Sequence, residues 1–489
     1  MLKLTSADPK RAAVDALIIP VCEDQPVHNR PVLKALVAEA EKIPEFKGKT
    51  GDRVTLYHTD TIKSPRVILM GLGKKEEIDL EAVRGLAGKA VKQGIQAELS
   101  KILVAVPQVE SDKLKDQDLV SAMMEGACLG NHLFDQYKKE KKQKPLKQVS
   151  FLVPPKAVKS YSDLPERIET ICESAAMARD WVSTPSNDKT PEQFAGMISS
   201  EAKKAGLKVT VLNEKQLKAQ GFGAILAVGA GSKSSPRLVI LEHNPKGAEK
   251  TVAFVGKGVT FDSGGINLKP TASLADMKCD MAGAAAAAGA MMAIGRMAPK
   301  IRVIGLMPLV ENMPSGDATR TGDIIKTYEG KTVEIGNTDA EGRLILIDAL
   351  AYANATYKPD VMIDLATLTG ACMIALGEKI AGLFTTDDKL AEAISASGEK
   401  TFERCWRLPL PDDYKELLKS DFADIHNMSS SRYGGAVTAA LFLSEFVGKT
   451  PWAHIDIAGP AYAKKANSYC GAGGTGFGVR LLCDLLEKL

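Results

Sequence analysis

Six continuous apolar runs beyond residue 207 constrain the fold more than any other feature: Lys208 to Leu212, Arg237 to Glu242, Thr251 to Val255, Arg302 to Met307, Val361 to Leu365 and His454 to Ile457. Runs that are continuous rather than alternating belong to strands covered on both faces, as in a mostly parallel sheet between helical layers. Helical patterns lie between several of them. The first, near Glu192 to Ala205, has Thr190 or Asn187 to cap it and Pro191 for its first turn. In such sheets ligands bind beyond the carboxyl ends of the strands.

The first part of the chain repeats the rhythm on a smaller scale, with apolar, β-branched runs at Ala16 to Val21, Arg53 to Tyr57, Val67 to Met70, Ile102 to Val106 and Val149 to Val153. Strands alternating with helices predict an α/β domain of about 150 residues. A chain of 489 residues exceeds one ordinary core, so two or three domains are expected. Between them, Leu164, Ile168, Ile171, Cys172, Ala175, Ala178 and Val182 recur at helical spacing and predict a connecting helix. The expected division is residues 1–160, a linker helix over 161–185, and a larger domain over 186–489.

Composition removes several function classes. Lysine and arginine total 63 against 60 aspartates and glutamates, a balance too even to predict nucleic-acid or anionic-membrane binding. The one basic run, Lys138 to Lys147, holds six lysines and reads as an exposed loop, with phosphate contact as the lesser alternative. The eight cysteines are scattered with no CxxC pair, which fits free thiols in a reducing compartment. The N-terminal segment has no signal-peptide pattern and no stretch approaches a membrane span, so a cytoplasmic location without membrane partners is expected. His28, His58 and His132 are isolated and read as surface or core residues.

Charge is concentrated in two stretches otherwise made of small, apolar or hydroxyl residues. VGKGVTFDSGGINLKP, followed by MKCDMAGAAAAAGA, supplies Lys257, Asp262, Lys269 and Asp280; NTDAEGRL supplies Asp339, Glu341 and Arg343. Each residue has a bland explanation. Asp280 precedes an alanine-rich helix and could be its N-cap, and Asp339 or Glu341 could cap a helix or pair with Arg343 at the surface. For all seven at strand ends that explanation is poor, because burying unpaired charge is expensive. A phosphate cradle is disfavoured, since the glycines match neither GxGxxG nor a Walker sequence and an acid stands among them. Met277 and Met292 are expected to pack rather than ligate.

Four carboxylates with no histidine in either motif make an oxygen-rich site, suited to magnesium, manganese or zinc when two metals share bridging acids. Such a pair suits hydrolysis of an amide or ester. Beside two dications the Lys257 ammonium would be driven down and could ligate as a neutral amine. Lys269 could stay protonated and steady an oxyanion, and Arg343 offers a fork for a carboxylate-like anion.

At these residues the chain resembles the leucyl aminopeptidase family of cytosolic two-metal metallopeptidases, whose signature is NTDAEGRL and whose second motif is GKGVTFDSGG followed by LKP and MKCDMAGAA. The likeness continues through DWVSTPSN, DLATLTGA, RYGGAVTAALFL and PWAHIDIAG. It implies a small macro-like N-terminal α/β domain, a linker helix and a larger α/β/α catalytic domain, assembled as a homohexamer. It also implies that Asp262 and Glu341 bridge two metals, that Asp339 completes the exchangeable site, and that Lys257 and Asp280 complete the tighter one. Lys269 would polarise the scissile carbonyl, Arg343 would hold a bicarbonate general base, and Met277, Thr367, Gly370, Ala458 and Ala461 would line the pocket for the first side chain. The implied activity is removal of N-terminal residues from peptides, with broad preference for leucine, methionine or similar apolar residues. Some bacterial members bind DNA, and here only Lys138 to Lys147 speaks to that. Two alternatives fare worse: a two-metal phosphoesterase would show histidine ligands, and a DNA-binding regulator with a vestigial site would have lost a ligand.

Overall fold

The structure, a computed structural model, describes residues 1–109 and 114–489. Its contacts gather the chain into two units: Met1–Glu173 with Lys465–Gly471, and Ser174–Lys464 with Ala472–Leu489. The division falls inside the helix Leu164–Ser183.

In the first unit the apolar runs become strands β1 (Leu2–Thr5), β2 (Ala16–Cys22), β3 (Arg53–Tyr57), β4 (Arg66–Gly73), β5 (Lys101–Ala105) and β6 (Gln148–Leu152). They form one sheet in the order β1-β6-β5-β2-β4-β3. Only the β3–β4 pairing is antiparallel. Every residue of β2 is buried, which is why its sequence does not alternate. One face packs Leu17, Ile19, Val67, Leu69 and Leu103 against Leu33 and Leu36 of the helix Pro31–Ala40.

The second unit holds β7 (Lys208–Leu212), β8 (Arg237–His243), β9 (Thr251–Gly256), β10 (Gly258–Asp262), β11 (Arg302–Asn312), β12 (Ile324–Lys326), β13 (Thr332–Glu334), β14 (Val361–Ala366), β15 (Ala381–Phe384), β16 (Cys405–Arg407), β17 (Ile425–His426) and β18 (Trp452–Asp456). The main sheet runs β16-β15-β18-β14-β9-β11-β8-β7, with β10 also on β11. Its centre, β18-β14-β9-β11, is parallel, as expected, while β7, β8 and β15 join antiparallel. A smaller ribbon, β12-β13-β17, stands apart. Gly258 to Asp262, beyond the expected strand end at Val255, is itself a strand. It pairs with the far end of β11, Gly258 beside Leu309 and Asp262 beside Asn312, because β11 continues five residues past the expected Met307.

Strand residues alternate between faces, and this fixes where the helices lie. Ala253 and Val255 of β9 share a core with Leu344 and Ile347 of the helix Glu341–Tyr357. Gly256, on the other face, meets Gly283 and Ala284 of the helix Ala282–Met297. The alanine-rich helix is buried from Ala282 to Ile294. Its approach is so close that a Cβ on Gly283 would lie 2.0 Å from the Leu365 carbonyl oxygen. The helix Pro191–Lys204 starts with the expected cap: Thr190 and Gln193 satisfy each other's backbone N–H groups in a capping box. All eight cysteines are free thiols, and among the described residues no helix is long and apolar enough to cross a membrane.

His28 is a buried core histidine whose Nε2 lies 2.7 Å from the Pro20 carbonyl oxygen, with Nε2–H as the donor. Burial pushes its pKa down to about 4, the Pro20 hydrogen bond opposing. Protonation is therefore favoured in the unfolded chain, so this histidine's contribution to stability is present above about pH 6.5 and is lost as pH falls through about 4. The loss approaches about 3 kcal/mol at the bottom of that window. Hydrogen exchange of the β2 amides should show the wild-type unit losing protection relative to His28→Gln as pH falls; parallel curves would contradict this.

Candidate metal centre

The C-terminal ends of β9 and β10 deliver the first charged pair. Lys257 follows β9 directly, with its N–H donated to Leu365 (3.0 Å) and its carbonyl accepting from Ala284 (2.8 Å), so its backbone is held on both sides. Asp262 ends β10. Asp280 closes a single 3₁₀ turn, Met277–Cys279, just before the alanine-rich helix. Asp339 lies in the turn after β13, and Glu341 is the first residue of the helix Glu341–Tyr357, one step beyond the loop where it was expected.

These side chains converge. Lys257 Nζ lies 2.8 Å from Asp280 Oδ1, 2.8 Å from Glu341 Oε1 and 2.8 Å from the Thr367 carbonyl oxygen. Lys269 Nζ lies 2.8 Å from Asp262 Oδ2 and 2.5 Å from Asp339 Oδ1. One carboxylate oxygen from each of Asp262, Asp280 and Glu341 lies within 4.8 Å of the others, and all three residues are buried. Asp280 does not cap the helix, whose N-cap is Met281; it accepts from Lys257 and from Thr367 Oγ1 at 2.8 Å. Arg343 is buried rather than paired at the surface, and donates from Nη1 to the Asn427 carbonyl at 2.9 Å.

Burial raises the pKa of Asp262, Asp280 and Asp339, and neighbouring carboxylates raise each further, while Lys257 and Lys269 oppose the rise. Burial alone would lower both lysines, but the carboxylates outweigh it and hold both ammonium groups above their ordinary values. The lowered Lys257 expected from the sequence belongs to a site shared with two dications; without them its ammonium acts as counterion to Asp280 and Glu341. Burial pushes Arg343 down to about 10, against the pull of Glu341 and Asp456.

The residues fit hard cations. Asp280 Oδ2 is buried with no hydrogen-bond partner among protein groups, so it keeps an unused lone pair inside the cluster. Four carboxylates face two ammonium groups, which leaves a negative excess for divalent ions to neutralise. A Cβ on Gly342, in the first turn of the helix Glu341–Tyr357, would lie 2.5 Å from Lys257 Cε, so a side chain there would displace the end of Lys257 from its place between Asp280 and Glu341.

Of the residues expected to line a pocket, one touches the cluster directly. Thr367 touches Asp280, Met277 starts the 3₁₀ turn, and Gly370 opens the helix Gly370–Leu376. Asp456 ties the segments that carry them, accepting from Leu368 N–H (3.2 Å), Thr369 Oγ1 (2.7 Å) and Ala458 N–H (3.1 Å). Ala461 is fully buried, while Ala458 is partly exposed. The six lysines of the basic run are all exposed, and Lys141 and Lys142 sit 3.7 and 3.6 Å from Asp135 and Glu140.

Uncharged residues that the sequence reading passed over hold the loops. Thr338 Oγ1 donates to the Gly264 carbonyl (2.6 Å) and accepts from Asn267 N–H (3.0 Å), while Asn267 Oδ1 accepts from Thr338 N–H (2.9 Å). These bonds join the two charged loops. The buried Asn427 accepts from Gly336 N–H (2.7 Å) and donates to the Asn337 carbonyl (2.9 Å), bracing the turn before Asp339. The only available signal was their place beside the motifs.

Comparison with known proteins agrees with the geometry. The model described as cytosol aminopeptidase family, catalytic domain, matches residues 176–483, and the family's N-terminal domain model matches 29–141. A probable cytosol aminopeptidase of Chlorobium limicola is 42% identical, covering 100% of this chain and 99% of the relative. One from Brucella ovis is 43% identical over 92% of each. Among solved structures, the bottromycin maturation enzyme BotP in complex with Mn superposes with a TM-score of 0.87 at 35% identity, covering 97% of this chain and 99% of that one. A mutant of tomato leucine aminopeptidase gives a TM-score of 0.88 at 31% identity, covering 100% of this chain and 96% of that one.

Thr338→Val keeps the side chain's shape and removes its hydroxyl, leaving the Gly264 carbonyl and Asn267 N–H without their buried partner. The expected loss is about 1–3 kcal/mol, read as a lower denaturation midpoint with unchanged slope. An unchanged midpoint would show that the hydroxyl does not join the loops.

Proposed function

The chain belongs to the cytosol aminopeptidase family, and from that premise we propose that it removes leucine, methionine and similar apolar residues from the N-termini of peptides, with broad preference. Membership makes it a metal-dependent peptidase. The convergence of Asp262, Asp280 and Glu341 oxygens in a buried cluster is the observation that supports this site as its catalytic centre.

In this reading Lys257, Asp262, Asp280, Asp339 and Glu341 hold two divalent ions, manganese or zinc, with magnesium as an occupant of the exchangeable position. When bound, the ions supply Lewis acidity and lower the pKa of water at neutral pH. The chain's residues do the rest. Lys269 is partly exposed, and once Asp262 and Asp339 are neutralised otherwise, its ammonium is free to face the carbonyl oxygen where negative charge develops. Arg343 holds a bicarbonate as general base, its guanidinium kept in place by Asn427. The acidic floor favours a free amino terminus over an acylated one. Met277, Thr367, Gly370, Ala458 and Ala461 line the pocket for the first side chain, where one methylene is worth about 1–3 kcal/mol, so selection among apolar residues is loose.

Resemblance to the family supports a cytoplasmic homohexamer. The exposed lysines from Lys138 to Lys147 support only a salt-sensitive secondary contact with DNA.

With manganese, the purified chain should release p-nitroaniline from leucine p-nitroanilide and leave the N-acetylated substrate intact. Glu341→Ala and Asp262→Ala should abolish release, and Lys269→Met should lower kcat about 10²–10³-fold. Absence of release with every divalent metal, or activity retained in either carboxylate variant, would overturn the proposal.

A further inference from the structure

The two oxygens of Asp262 face different surroundings. Oδ1 accepts from Gly264 N–H at 2.9 Å and from Asn312 Nδ2 at 2.8 Å. Oδ2 meets the Lys269 ammonium at 2.8 Å. One oxygen is therefore satisfied by neutral donors fixed to the protein, and the other is left for cations.

Asn312 is well placed to enforce this. It is the last residue of β11, buried to 4% exposure, and pairs across the sheet with Asp262. Its carbonyl accepts from both Ser263 N–H (3.0 Å) and Ser263 Oγ (2.7 Å), so its backbone cannot swing. Both N–H bonds of its amide are used, one on Asp262 Oδ1 and the other on the Thr338 carbonyl at 3.1 Å. A single carboxamide thus joins the acid ending β10 to the loop that carries Asp339. Carboxylates that hold metals depend on such outer hydrogen bonds for orientation, and losing one typically costs about 10–100-fold in metal affinity or activity.

We propose that Asn312 is a positioning residue that pins Oδ1 of Asp262, so that Asp262 offers Oδ2 alone to the divalent ions. This rests on the metallopeptidase reading above. Without the amide, Asp262 can rotate and present either oxygen, and the Thr338 loop loses a tether.

The test uses the full chain freed of metal by chelation and titrated with manganese, unbound ion being read from its electron paramagnetic resonance signal. Wild type should bind two ions per chain. Asn312→Ala, and Asn312→Leu with the same branched heavy-atom skeleton and no charge change, should weaken binding of at least one ion about 10–100-fold. Their kcat on leucine p-nitroanilide should fall at subsaturating manganese and recover as manganese is raised, while KM stays within about threefold; the two lost amide hydrogen bonds also lower the metal-free melting temperature. Should the alanine variant not fold, the leucine variant decides. Wild-type affinity and stoichiometry in a folded variant overturn the role of Asn312. Failure of the wild-type chain to bind manganese or release leucine would overturn the metallopeptidase reading itself.

Discussion

Like charges forced together in a dry place must be neutralised, and the catalytic unit is organised around that requirement. Asp262, Asp280 and Glu341 are buried within a few ångströms of one another, and each would be costly there unaided. Lys257 and Lys269 supply positive charge from within the chain, each lying between two acids. Those ion pairs hold the acid-rich loops together through groups of the chain itself.

The parallel sheet brings these groups to one place. Side by side, β9, β11 and β14 end at the same edge, so Lys257 and Thr367 meet there through a carbonyl–ammonium contact. Adding β10 to the extended tip of β11 carries Asp262 to Asn312. Loops beyond the strand ends are then locked by neutral side chains: Thr338 with Asn267, and Asn427 with the turn before Asp339. Charge gives the site its chemistry, and carboxamides and hydroxyls give it its shape.

The difference explains what could be read in advance. Asp262, Asp280, Asp339, Glu341 and both lysines were legible because charge among glycines and alanines is conspicuous, and the structure brings all of them together. The parallel centre of the sheet was legible because its strands lack alternation. Asn312 and Asn427 were not, since a neutral polar residue near a strand end resembles any turn residue until its partners are known. The strand Gly258 to Asp262 was not legible, because its glycines permit tight turning and only pairing with β11 makes it a strand. The grouping of Lys465–Gly471 with the first unit has no mark in composition, because contacts distant in sequence leave none.

The alanine-rich helix limits which side chains the site can tolerate behind it. Buried from Ala282 to Ile294, and with Gly283 pressed against the Leu365 carbonyl, it has almost no spare volume. A larger side chain at Gly283 would push β9 and β14 apart and misalign Lys257 with Thr367. Added volume at its smallest residues therefore costs packing that added volume at the exposed lysines of 138–147 does not. The least decorated stretch of the protein is among the least tolerant of a larger side chain.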